Sequence, residues 1–404
     1  MPQSQRPNFL LIMCDQLRAD CISADDRAWP GVSTPNIDRI AQRGVRFRRA
    51  YTEVPVCVPA RVNVLTGLHA HQLGIMDNQP TPGPEVPTLP GLLTDLGYFT
   101  AAIGKMHFRP PRNHYGFQRM LLSEEIPRYR VDDEYLLYLR DRGYGHVLEP
   151  HGLRHEQYYQ PQVSQLPAEH TTTSWTADRT VELLRANRHR PFFLWTSFIK
   201  PHPPFDPPRG FENRHPPETV PMPVRQESER DPVDNHLLVQ NHGKGVDDPD
   251  DNLIRLIRSR YLGSVAHIDD NVGKLMDTLE GLGLSERTVV VFMSDHGDQL
   301  GDHYAWGKRT FYLGAARVPF VVSWPGHFPE GATRDGFVTG CDLLPTFLPF
   351  ASRGARWTHG EPHPAIPWPG ADLAPLLLDA NAPWRDRIMG EFSSGRTFKG
   401  MLRW

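Results

Sequence analysis

A chain of 404 residues with 39% hydrophobic and 23% charged residues can bury a sizeable core, which excludes a disordered chain. The formal net charge of -3 leaves no basic footprint for nucleic acid, and no run of about 18 apolar residues offers a membrane span. The polar start lacks the basic, apolar and small-residue order of a signal peptide, and the four scattered cysteines (Cys14, Cys21, Cys57, Cys341) make no disulfide framework, so a cytoplasmic protein with reduced thiols is expected.

Phe9-Leu10-Leu11-Ile12-Met13 is a continuous apolar run, the signature of a strand buried on both faces. Thr34-Pro35 supplies a cap and a first-turn proline for a helix through Gln42, ended near Gly44. Pro59 suits a first helical turn as well, which puts Cys57 at or near a helix N-terminus, where unpaired N–H groups favour anions. Further buried strands are predicted at 99–103, 192–198, 289–293 and 320–324, and helices at 89–96, 176–186, 252–282 and 342–350. This alternation predicts an α/β fold over residues 1–350, a largely parallel central sheet sandwiched by helices. Residues 351–404 read as a short, proline-rich C-terminal segment ending at Trp404 in an edge strand. Two stretches, 109–170 and 201–251, break the pattern and read as lids, binding loops or plain excursions.

In open α/β sheets ligands bind beyond the carboxyl ends of the strands. The first strand is followed by Asp15-Gln16, the second of the series by Gly104-Lys105-Met106-His107, the third by Lys200-Pro201-His202, and the fourth by Asp295-His296-Gly297-Asp298. Four strands therefore deliver carboxylates, histidines and lysines to one edge. Lys105 and His107 lie two apart on a strand exit, where both can face one pocket. Asp298 and Asp302 read as loop residues behind that edge, and Cys14, Cys21 and Cys341 as buried thiols.

Cys57-Val58-Pro59-Ala60-Arg61 resembles the sulfatase sequence in which the cysteine is oxidised to formylglycine. Residues 97–107 resemble the second sulfatase signature, and Ser294-Asp295-His296-Gly297-Asp298 with Trp306-Gly307-Lys308 resembles the later metal segment and substrate lysine. The similarity runs in order over most of the chain, and implies an alkaline-phosphatase-like fold. It also implies that Asp15, Gln16, Asp295 and His296 hold one divalent cation, with position 57 adding an oxygen as the formylglycine hydrate. Arg61 would hold that hydrate, Lys105, Lys308 and Asn78 would bind the sulfate oxygens, and His107 and His202 would do acid/base work. A hydroxyl of the hydrate attacks sulfur, His202 or Lys308 protonates the leaving alcohol, and His107 takes the proton whose loss expels sulfate. All-oxygen ligation favours Ca or Mg, while His296 tilts the choice toward Mn.

The expected partners are a small-molecule sulfate ester and a formylglycine-generating enzyme. Relatives commonly continue into a C-terminal antiparallel subdomain, so a reduced subdomain or a neighbouring subunit in a homo-oligomer is expected. Gln16 and His296 stand where many sulfatases carry an acid and Asn, a combination also met in phosphonate monoester hydrolases and in choline-sulfatase-like members. A phosphonate monoester or phosphodiester hydrolase is thus the rival enzyme, against which Lys105 and His107 argue. Leu313 stands where relatives commonly carry Glu beside the substrate lysine; it keeps open a third reading, a catalytically silent binding protein with unmodified Cys57.

Overall fold

The computed structural model describes residues 6–78, 81, 83, 85–226, 246, 249–352, 368–393 and 399–403. Its centre is an eight-stranded sheet in the order β4-β3-β5-β1-β6-β7-β2-β8. The strands are β1 (Asn8–Asp15), β2 (Gly44–Ala50), β3 (Phe99–Gly104), β4 (Arg119–Leu122), β5 (Phe192–Pro201), β6 (Thr288–Ser294), β7 (Phe320–Ser323) and β8 (Ala332–Val338). All neighbouring pairs are parallel except those made by β7, which runs against both β6 and β2. The α/β expectation holds, and the five strands predicted from apolar runs are β1, β3, β5, β6 and β7.

Every residue of β1 is buried, because helices cover both faces of the sheet. Leu10, Ile12 and Cys14 enter one core with Ile37 and Ile40 of helix α1 (Pro35–Gln42), Trp175 and Ile254. Phe9, Leu11 and Met13 enter the opposite core with Leu89, Leu343 and Phe347. Side chains of a strand alternate between faces, so a run without polar residues is what two covered faces require.

The apolar-run criterion missed β2, β4 and β8. β2 carries Arg46, Arg48 and Arg49, and the buried Arg46 donates to Asp26 at 2.7 Å. β4 is four residues long and opens on an exposed Arg119. It lies inside the stretch 109–170 that reads as irregular, as does the helix Glu134–Asp141, whose N-terminus is capped by Asp133. Near the C-terminus β9 (Met389–Ser393) and β10 (Lys399–Arg403) pair as an antiparallel hairpin. Trp404, residues 353–367 and most of the polar segment 235–251 lie outside the described residues.

Candidate active site

β1 has neighbours on both sides whose chain connections lead in opposite directions, so it lies at the switch point of the sheet, where a crevice opens beyond the strand ends. β1 places Asp15 and Gln16 there, β3 places Lys105 and His107, β5 places His202, and β6 places Asp295 and His296. Helix α2 (Cys57–Thr66) points its first turn at the same spot. Gly67, in the left-handed conformation at φ 67°, ends that helix, and Asn78 Oδ1 accepts the Val58 N–H at 3.1 Å near its start.

The structure brings Asp15, Cys57, Asp295 and His296 into one buried group, with one ligand atom from each lying within 4.8 Å of all the others. His296 Nε2 is 3.3 Å from Cys57 Sγ, 3.8 Å from Asp15 Oδ1 and 3.7 Å from Asp295 Oδ1. The other ring nitrogen, Nδ1, lies 3.0 Å from the Gly297 carbonyl. A carbonyl only accepts, so Nδ1 carries a proton and Nε2 is the ring nitrogen that faces the cluster, the orientation metal-binding histidines adopt. Burial and the neighbouring Asp15 push the Asp295 carboxyl up. Two buried carboxylates, an imidazole lone pair and an anion at position 57 are a donor set that fits a divalent cation.

Gln16 lies against this group. Its Nε2 donates to Tyr159 Oη at 3.1 Å and to the Asp298 carboxylate, which turns Oε1 toward Lys308 Nζ at 2.9 Å. Asp298 also accepts the Leu300 and Gly307 N–H groups, both at 2.8 Å, and so shapes the loop that carries Lys308. Leu313 is 47% exposed, and Lys308 is supported by Gln16.

Arg61 is fully buried. It donates to Asp15 Oδ2 at 3.1 Å, Asp295 Oδ2 at 3.0 Å, the Lys105 carbonyl at 2.7 Å and Ser197 Oγ at 2.8 Å. The resemblance gives it to the hydrate; its bonds here run to the two carboxylates, which it fixes in orientation. Asn78 lines the crevice while holding the start of α2.

Above the cluster is a cavity of about 430 Å³ lined by Cys57, His107, Glu125, Tyr158, His202 and Lys308, among others. Lys308 Nζ is 2.8 Å from Cys57 Sγ. Burial and Asp15 push the Cys57 thiol up, but Lys308, Lys105 and His296 outweigh them and hold it well below the usual thiol range. Position 57 is built for an anion. Burial also opposes charge on Lys105, yet Asp15 at 2.6 Å and Glu125 at 2.7 Å keep its ammonium protonated. Lys200, by contrast, is spent on the His151 and Pro204 carbonyls and Asp206, and supports the loop leading to His202.

His107 sits at φ 57°, a left-handed conformation that costs a non-glycine residue about 1–3 kcal/mol. Glu124 holds it there by accepting its N–H at 3.0 Å. Its buried Nδ1 has no hydrogen-bond partner among the described residues. His202 Nδ1 lies 2.7 Å from the Pro203 carbonyl, so it too keeps its proton and leaves Nε2 facing Tyr158 Oη at 3.4 Å and Glu125 Oε2 at 3.5 Å. Burial pushes the His202 imidazole below its ordinary range, and Glu125 acts against that shift.

Glu124, Glu125 and Tyr158 were not among the residues predicted from the sequence. The two glutamates follow β4 directly, so the same strand-end logic reaches them once that short strand is recognised.

A model of the sulfatase family matches residues 7–352. The chain belongs to the sulfatase family. It is 31% identical to an arylsulfatase of Clostridium perfringens, over 96% of this chain and 82% of that protein. It is 28% identical to a choline-sulfatase of Rhizobium meliloti, over 95% of this chain and 70% of the relative. Among solved structures, a phosphonate monoester hydrolase of Agrobacterium radiobacter superposes with a TM-score of 0.80 at 26% identity, covering 96% of this chain and 80% of that one. Family membership makes this chain a sulfuric ester hydrolase by class, on an alkaline-phosphatase-like fold.

Proposed function

We propose that the chain hydrolyses a small-molecule sulfate monoester over position 57, with Cys57 oxidised to formylglycine by a maturing enzyme and one divalent cation bound beside it. The observation that carries this reading is the double contact of Cys57. Its sulfur touches the cation-binding group through His296 and the anion-binding group through Lys308. A nucleophile for an anionic ester needs both, because it must be deprotonated and must meet a negatively charged substrate.

Asp15, Gln16, Asp295 and His296 are the residues that would hold the cation, with position 57 completing the set. The cation supplies charge that favours an ionised nucleophile, and the aldehyde hydrate supplies a second hydroxyl through which sulfate leaves, a route serine or cysteine lacks.

The protein's own groups divide the remaining work. Lys105 and Lys308 bind and neutralise the sulfate oxygens. Lys308 contacts position 57 itself, and His202 lines the same cavity. An in-line displacement puts the leaving oxygen opposite the nucleophile, so His202 is the group placed to give it a proton, from Nε2 and with Glu125 as counter-ion. His107, with its unpartnered Nδ1, is the base that takes a proton in the release step. Tyr158 and Glu125 line the cavity beside His202.

The test is a matched panel of aryl and alkyl sulfates, phosphonate monoesters and phosphodiesters, compared by kcat/KM on matured protein. Preference for the sulfates is expected. Preference for the phosphorus esters would assign the chain the activity named for its phosphonate-hydrolysing structural neighbour.

A further inference from the structure

A second cluster of metal-ligating side chains lies where α2 ends, whereas Cys57 stands where it begins. Glu53 follows β2, His69 follows α2, and Cys341 follows β8. His69 Nδ1 is 3.0 Å and Cys341 Sγ 2.9 Å from the same oxygen, Glu53 Oε2. One ligand atom from each of the three lies within 4.8 Å of the other two. Beside them His71 pairs with Glu391 of β9, its ring stacks on that of His69 at 5.6 Å, and the Glu391 N–H donates to the Glu53 carbonyl at 2.7 Å.

Glu53 and Glu391 are both buried, yet among the described residues neither pairs with a lysine or arginine. Buried carboxylates without a fixed cation are costly, and histidine is a weak substitute at neutral pH. A thiol, an imidazole and a carboxylate brought together from three chain segments are the donor set of tetrahedral zinc. With metal–ligand distances of about 2.0–2.3 Å, its ligand atoms stand roughly 3–4 Å apart.

We propose that Glu53, His69 and Cys341 form a second metal site, for a thiophilic divalent cation of the zinc class. Water fills the fourth position on the side of His69, whose side chain is the partly exposed one at 17%. The site is structural. It fixes Glu53, and through the Glu53–Glu391 contact it holds the β9–β10 hairpin against the main sheet domain. It is independent of the chemistry at position 57.

The experiment uses the Cys57→Ser protein, which has no thiol at the active site. It is titrated with Co²⁺ and followed in the near ultraviolet for thiolate-to-cobalt charge transfer, with zinc content measured after dialysis. The band is expected in this protein and is expected to vanish in the further variants Cys341→Ser and His69→Gln. Zinc affinity at the same site should fall at least about tenfold. Cys14 and Cys21 remain in every variant and serve as the internal control. Absence of the band from Cys57→Ser, or its persistence when Cys341 or His69 is changed, would overturn the proposal. Should far-ultraviolet circular dichroism show that Cys341→Ser does not fold, the partly exposed His69→Gln change decides alone.

Discussion

Lys105 has no exposed surface and sits between two carboxylates, Asp15 and Glu125. Its charge is therefore fixed before substrate arrives and is not spent on reorganising water. Lys105→Ala should lower kcat/KM by about 10²–10³, the scale for losing one oxyanion contact. His202 carries a sharper test, because burial lowers its proton affinity and Glu125 partly restores it. As a proton donor it must be charged, so activity is present below its pKa and lost as pH rises through it. Glu125→Gln removes the group that raises that pKa. The alkaline limb of the kcat/KM profile should move to lower pH, and an unmoved limb would take the proton-donor role from His202. His107→Ala should slow release more than attack, giving a burst followed by slow turnover. Asp15, Gln16, Lys105, His107, His202, Asp295 and His296 were legible in the sequence because each follows an apolar run within four positions. Glu125 was hidden because β4 is short and starts on a charged residue, and the bonds of Arg61 to Asp15 and Asp295 were not legible because a motif names a residue without saying which way its five donors point.

Among the elements, the exit of β3 is the most constrained. Gly104 has φ 89°, and a Cβ there would run into the Ser197 carbonyl of β5. The left-handed glycine turns the chain so that Lys105 and His107 both enter the cavity. Gly104→Ala is expected to cost about 2 kcal/mol or more in denaturant unfolding, since it combines strain with a steric clash. It should also lower kcat/KM through displacement of Lys105, with metal content unchanged. Wild-type activity in that variant would show that the turn does not position the lysine. The central strands and long helices were legible because hydrophobic period reports burial directly. β2 was not, since its buried Arg46 is rescued by a carboxylate twenty residues earlier in the chain, which no local window detects.

For the molecule as a whole, the cation and the fold are coupled. Without it Asp15 and Asp295 face each other in a buried site, held by Arg61, Lys105, Lys308 and the histidines His202 and His296. Adding Ca or Mn to chelated protein at about 100 times Kd should stabilise it by about 2.7 kcal/mol, seen as a rise in Tm. Asp15→Ala should abolish that rise together with activity; a rise that survives would place the cation elsewhere. Position 57 is where the sheet edge, the helix start, the cation-binding group and the anion-binding lysines converge. The deciding measurement is the mass of the Cys57 peptide from protein made with the maturing enzyme, taken on the preparation whose turnover is assayed. The account predicts an aldehyde or its hydrate in place of the thiol, with turnover in proportion to that fraction. Full turnover from protein containing only unmodified cysteine at position 57 would contradict it.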